Sequence, residues 1–162
     1  MEQLINLDQL TSGFYLISTD VCTKDMFQQS TEINRKKIGN IKENWQLLPF
    51  LTLKDNLLLG VRKKMQTALL EQLALVEISP VMLNQPAEEL APLTKIKLQI
   101  VRQLLQEKEV LLLSECCSVL SIGDIQWLLP FCQQLSEEMD LKILLFSSDK
   151  QLFHVPYIDI IF

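Results

Sequence analysis

The sequence has a single histidine, His154, in 162 residues, and its four cysteines, Cys22, Cys116, Cys117 and Cys132, contain no C-x-x-C spacing. A zinc site therefore has no framework of ligands to build on, and no metal is expected. One isolated histidine also leaves Ser/His/Asp and Cys/His arrangements without a base. The neighbours Cys116 and Cys117 cannot easily bridge each other. Beside an apolar strand they read as small hydrophobes rather than redox groups. No run of about 18 apolar residues occurs, so no membrane span is expected. The first ten residues carry acidic groups and no basic segment, which argues against a signal peptide and for an intracellular protein. The formal net charge of −5 disfavours a general nucleic-acid footprint. The basic run Arg35, Lys36, Lys37, with Lys24 and Lys42 not far off in sequence, reads as a solvated loop. Repeats and low-complexity linkers are absent.

Apolar residues make up 48% and charged residues 22%, a globular balance in a chain long enough for one domain, 1–162, with a core that needs no disulfides. Four segments read as strands: Phe14–Ser18, Val110–Ser114, Lys142–Ser147 and Tyr157–Phe162. Lys37–Ile41 is a weaker fifth. Continuous apolar runs such as VLLLS and ILLF suit a parallel sheet covered on both faces. Between them, apolar residues recur at helical spacing over Met65–Val76, Leu93–Gln106 and Ile122–Met139. Pro130 lies inside the third pattern, where a kink or break is expected. Strands alternating with helices predict an α/β fold with a mainly parallel sheet flanked by helices.

Four further segments carry chemistry-related patterns in a fixed order. Ile38–Gly60 contains Leu47-Leu48-Pro49, Leu51-Thr52 and Asn56. Pro86–Leu104 contains Leu90, Ile100, Arg102 and Leu104. Val110–Ser121 (VLLLSECCSVLS) contains Glu115, Ser118 and Leu120, and Lys142–Leu152 contains Asp149. In order and spacing these resemble the Q-loop, signature, Walker B with D-loop, and switch regions of ABC-transporter ATP-binding domains. The resemblance runs from about Ile38 to the C-terminus. It implies a P-loop-NTPase-like fold with a helical insertion over roughly 53–104. The space before the first strand and between Lys24 and Glu43 implies a reduced N-terminal β-subdomain.

Several positions depart from the family pattern. Glu43 stands for the Q-loop glutamine, Pro92 and Leu93 for the signature glycines, Ser114 for the Walker B aspartate, Ser121 for the D-loop aspartate and Ser148 for the switch histidine. A phosphate-binding loop needs glycines that let backbone N–H groups wrap the phosphates, a lysine, and a hydroxyl for Mg²⁺. Here Ser18 and Thr23 occupy the glycine positions and Asp25 the hydroxyl position, while Lys24 stands where the lysine stands. Side chains at 18 and 23 disfavour positive-φ turns, and Asp20 and Asp25 repel phosphate. Pro92 lacks an N–H for an anion yet suits a helix start. Ser114 brings no charge to a hard cation. Glu115, at the Walker B glutamate position, is either a general base or an acidic residue at a strand end without catalytic duty.

The expected function is thus that of an ABC-ATPase homologue working as a non-catalytic interaction or regulatory module of a transport system. No cofactor is expected. The alternative is an ATP-binding subunit that is weakly active or completed in a heterodimer, with ATP and Mg²⁺ bound, and Lys24 and Glu115 as its nucleotide-binding and catalytic residues. The apolar loop residues Trp45, Leu47, Leu48, Pro49 and Phe50 read either as a partner surface or as local core. The partners implied by the resemblance are an ABC permease or a competent ATPase subunit, in a homo- or heterodimer. The expected location is cytoplasmic, peripheral at the inner face of the membrane, without insertion into it.

Overall fold

The structure is a computed structural model that describes residues 9–84, 90–154 and 160–161. The chain divides into two compact units, Met1–Asn40 with Glu109–Phe162, and Ile41–Lys108.

The first unit is built on a sheet of β1 (Gly13–Ser18), β2 (Ile38–Ile41), β3 (Val110–Ser114), β4 (Lys142–Ser147) and β5 (Ile160–Ile161). The strand order is β2-β3-β4-β1-β5. β4 pairs in parallel with β1 and β3, and β1 pairs in parallel with β5. In register, Ser18 lies opposite Ser147 and Ser114 opposite Phe146, so β1, β3 and β4 end together on one edge. Both faces of the sheet are buried, as the continuous apolar runs require. Tyr15, Ile17, Val110, Leu112, Leu144 and Phe146 pack on one side with Phe27 of α1 (Lys24–Ser30). Their alternates Phe14, Leu16, Leu111, Leu113, Ile143 and Leu145 are buried as well. Each such side chain contributes about 1.5–3 kcal/mol on burial.

The strand expected at Lys37–Ile41 begins one residue later, because Arg35–Lys37 forms a 3-10 turn capped by the Asn34 side chain. Of the segment Tyr157–Phe162, only Ile160 and Ile161 lie among the described residues, and both are in β5. The helix over Ile122–Glu138, α5, passes through Pro130 without a break. Proline removes the N–H that would bond the carbonyl of Gln126, but Gln126 is exposed, so water can satisfy that oxygen.

The second unit contains α2 (Leu53–Leu58), α3 (Leu69–Leu75) and α4 (Pro92–Leu105), with 3-10 segments at Lys63–Ala68 and Pro80–Asn84. The continuous helix expected over Met65–Val76 is therefore only α-helical in its second half. There Leu69, Leu73 and Val76 are buried, whereas Met65 and Ala68 are only half-buried. In the first half the Thr67 hydroxyl donates to the Lys64 carbonyl and the Met65 N–H to the Arg62 carbonyl, a tighter local pattern that competes with the α-helix. Among the described residues no helix is long and apolar enough to cross a membrane.

Candidate functional site

The loop leaving β1 folds onto itself. The N–H groups of Val21 and Cys22 both donate to the Ser18 carbonyl, at 2.9 and 3.1 Å, and the Asp20 N–H donates to the Ser18 hydroxyl at 3.2 Å. Thr23, in extended conformation, caps α1: its hydroxyl accepts from the Met26 N–H at 3.1 Å and its carbonyl from the Phe27 N–H. None of residues 18–25 has a positive φ. The loop is thus an ordinary turn and helix cap made with the side chains of Ser18 and Thr23. Lys24 is the first residue of α1 and half-buried, and Asp25 follows it, exposed.

At the end of β3, Glu115 takes a left-handed conformation, φ 54°. Its N–H donates to the Phe146 carbonyl at 3.0 Å, and its Oε1 accepts the Ser148 N–H at 3.2 Å. The structure therefore brings Glu115 and Ser148 together, joined by backbone. The carbonyl of Glu115 also receives the Ser118 hydroxyl at 2.8 Å. Ser114 contributes a carbonyl that accepts from the Cys116 thiol. Asp149 accepts the Gln151 N–H on Oδ1, at 3.0 Å. Ser121 caps α5, its hydroxyl accepting the Asp124 N–H while the Asp124 carboxylate accepts the Ser121 N–H. Cys116 and Cys117 are buried. The Cys117 thiol is pushed up to about 12, first by burial and then by the nearby charges of Asp149 and Glu115. Cys132, fully buried beside these two, is raised further by burial.

In the helical unit, the segment after β2 is held by two buried amides. Gln99, 2% exposed, stands on the apolar face of α4 and pairs with both backbone groups of Lys42: Oε1 accepts its N–H at 2.8 Å and Nε2 donates to its carbonyl. Asn56, 3% exposed, accepts the Leu48 N–H at 2.8 Å and donates to the carbonyls of Leu48, Leu51 and Thr52. The loop 48–52 is thereby wrapped around one side chain. It leaves Phe50 80% exposed, with Leu48 and Pro49 also exposed and Trp45 and Leu47 half-buried. Glu43 is exposed. Pro92 opens α4 without any side-chain cap, and Leu93 follows it, half-buried. The role of Gln99 was missed in the sequence. Its signal was a polar residue beside Ile96 and Ile100 on the buried face of α4, with Gln103 one turn further along.

Among the described residues no group of three His, Cys, Asp or Glu side chains could hold a metal ion. The sequence matches the family profile described as ABC transporter over residues 3–118. The molybdenum import ATP-binding protein ModC of Vibrio vulnificus is 26% identical over 137 residues, 85% of this chain and 37% of that protein. The methionine import ATP-binding protein MetN of Latilactobacillus sakei is 30% identical over 154 residues, 91% of this chain and 44% of that protein. The chain thus spans less than half the length of these curated relatives. Among solved structures, cbiO1 from Clostridium perfringens, part of the ABC transporter complex cbiONQ, superposes with a TM-score of 0.71 at 16% identity, covering 86% of this chain and 68% of that one. A bacterial ABC transporter cassette solved as a dimer gives 0.65 at 15% identity, covering 88% and 78%. At these identities the two structures show the shared fold.

Proposed function

Because the chain belongs to the ABC transporter family of ATP-binding domains, we propose that it is a non-catalytic interaction module of a transport system, one that has set aside nucleotide chemistry. The observation that carries this reading is the turn after β1. Its N–H groups at 20, 21 and 22 are consumed by Ser18, so they are not free to wrap a phosphate. The rest of the site points the same way. Asp25 places a negative charge beside the phosphate position, Ser114 offers no carboxylate to Mg²⁺, and Ser148 carries no imidazole. Pro92 removes an N–H from the start of α4. These residues do not fit Mg·ATP.

Under this reading the Trp45–Phe50 segment is the docking surface for an ABC permease or a competent ATPase subunit, at the cytoplasmic face of a membrane. An exposed aromatic on a loop fixed by Asn56 is the kind of anchor that carries binding energy. One observation favours the second reading, an ATPase completed in a heterodimer. Glu115 is present at the end of β3, bonded to the backbone of Ser148, and Lys24 begins α1.

Titration calorimetry of the purified chain with Mg·ATP separates the two. No binding heat is expected at millimolar nucleotide. Micromolar affinity, or hydrolysis abolished by Glu115→Gln, would establish the second reading instead. Docking is tested by recovery of transporter subunits from native membranes. The Trp45→Ala, Phe50→Ala double variant, folded by circular dichroism, is expected to lose them.

A further inference from the structure

The loop after α2 is laid across the end of α4 by side-chain bonds. The Leu59 carbonyl accepts from Arg102 Nη2 and from Gln106 Nε2, each at 3.1 Å. The Glu107 carboxylate accepts from Arg62 Nε at 2.7 Å and from Arg62 Nη2 as well. Gly60 makes the bend between them in a left-handed conformation, φ 72°, where a side chain is disfavoured. Residues 59–64 and 102–108 thereby form one surface inside the helical unit.

That surface is cationic. Five of the unit's nine lysines and arginines stand on it, Arg62, Lys63, Lys64, Arg102 and Lys108, with one of its seven carboxylates, Glu107. Arg62, Lys63 and Lys64 are exposed, and Arg102 and Lys108 are half-buried. The hydrogen bond from Arg62 holds Glu107 below the usual carboxylate range, and the charges of Arg62 and Lys64 add to it. Lys108 is lowered by burial and then by the neighbouring charge of Arg102. The cations therefore act on one another and on a single shared carboxylate. In a chain of formal net charge −5 this is a local concentration, not a general excess of base. Leu59 adds an apolar side chain, 39% exposed, to the same surface.

We propose that this surface rests on an anionic lipid membrane, with the cations among the headgroups and Leu59 at the acyl boundary. Cations around an exposed leucine suit an interface that is charged outside and apolar beneath. A lipid surface is flat and engages one patch at a time. A long polyanion such as a nucleic acid wraps further and meets the remaining charge, which is acidic. The inference goes beyond the proposed function and requires neither nucleotide nor a protein partner.

Co-sedimentation of the purified 162-residue chain with vesicles, in nucleotide-free buffer, is the test. Binding is expected to vesicles of phosphatidylcholine with about 30% phosphatidylglycerol and not to phosphatidylcholine alone, with release in about 0.5 M salt. Lys63→Gln with Lys64→Gln is expected to weaken binding about fivefold for each charge removed. Leu59→Ser is expected to weaken it several-fold. Arg35→Gln with Lys36→Gln removes the same charge from the exposed turn before β2 and is expected to change binding little. Circular dichroism checks that every variant is folded. No binding to the anionic vesicles, or equal losses from the two glutamine pairs, overturns the proposal. So does release by inorganic phosphate at constant ionic strength, which marks a site for the free anion. Tighter binding to duplex DNA than to the vesicles, at equal phosphate concentration, overturns it in favour of a polyanion site.

Discussion

Asn56 shows how much one side chain can hold. It satisfies four backbone groups of residues 48–52 from a buried position. Asn56→Ala removes the side-chain partners of the Leu48 N–H and the Leu51 carbonyl, while the carbonyls of Leu48 and Thr52 keep the N–H groups of Leu51 and Asn56, and it is expected to cost about 1–3 kcal/mol, read from the midpoint of urea denaturation. Asn56→Asp keeps the acceptor, loses the donors and buries a charge, so it is expected to be no better tolerated. The cysteines give a second residue-level prediction. Cys22 is half-buried, whereas Cys116, Cys117 and Cys132 are buried. Burial holds the Cys117 thiol near 12 and Cys132 higher still, far from a reactive thiolate at neutral pH. Alkylation followed by mass spectrometry is expected to label Cys22 first and the other three only on unfolding. Labelling of Cys117 in the folded chain would contradict this geometry.

At the scale of elements, Ser121 has local structural work. Ser121 starts α5 through a reciprocal cap with Asp124. Ser121→Ala is expected to cost about 0.5–2 kcal/mol, while Ser121→Asp, another good cap, should stay within a few tenths. Equal losses from both would mean the cap contributes little. Strands β1, β3 and β4 were legible because continuous apolar runs report burial on both faces, and α4 and α5 because their apolar spacing extends over three turns or more. The 3-10 segment at Lys63–Ala68 was not legible. Met65 and Ala68 fit the helical period, but the bond from the Thr67 hydroxyl to Lys64 is a local competition that periodicity does not record. Pro130 misled for the opposite reason, since a helix packed against β1 and β4 tolerates one lost bond on its wet side.

At the scale of the whole molecule, the buried thiols make stability depend on alkaline pH. The Cys117 thiol is raised from 9.0 to about 12, so the unfolded chain gives up its proton first. Stability from this group is fully present below pH 9.0 and is lost as pH rises toward about 12, by about 1.4 kcal/mol per pH unit. Urea denaturation at neutral pH and at about pH 10.5 checks this, with Cys117→Ala expected to flatten the slope. Motif order singles out Glu115, Ser148, Ser18 and Thr23 in the sequence, but it does not say how they are bonded. The inward turn at Ser18 and the left-handed backbone of Glu115 follow from loop geometry, which residue spacing leaves undetermined.

The loop around Asn56 has a further consequence, in kinetics. A segment already wrapped on a buried amide has little conformational freedom left to surrender when a partner arrives. Encounter should then proceed as rigid-body docking, with an association rate in the ordinary range of about 10⁵–10⁷ M⁻¹s⁻¹ and without a slow ordering phase. An Asn56→Ser chain, with the same Phe50 on a loosened loop, should capture the partner through a second, concentration-independent phase in stopped-flow traces.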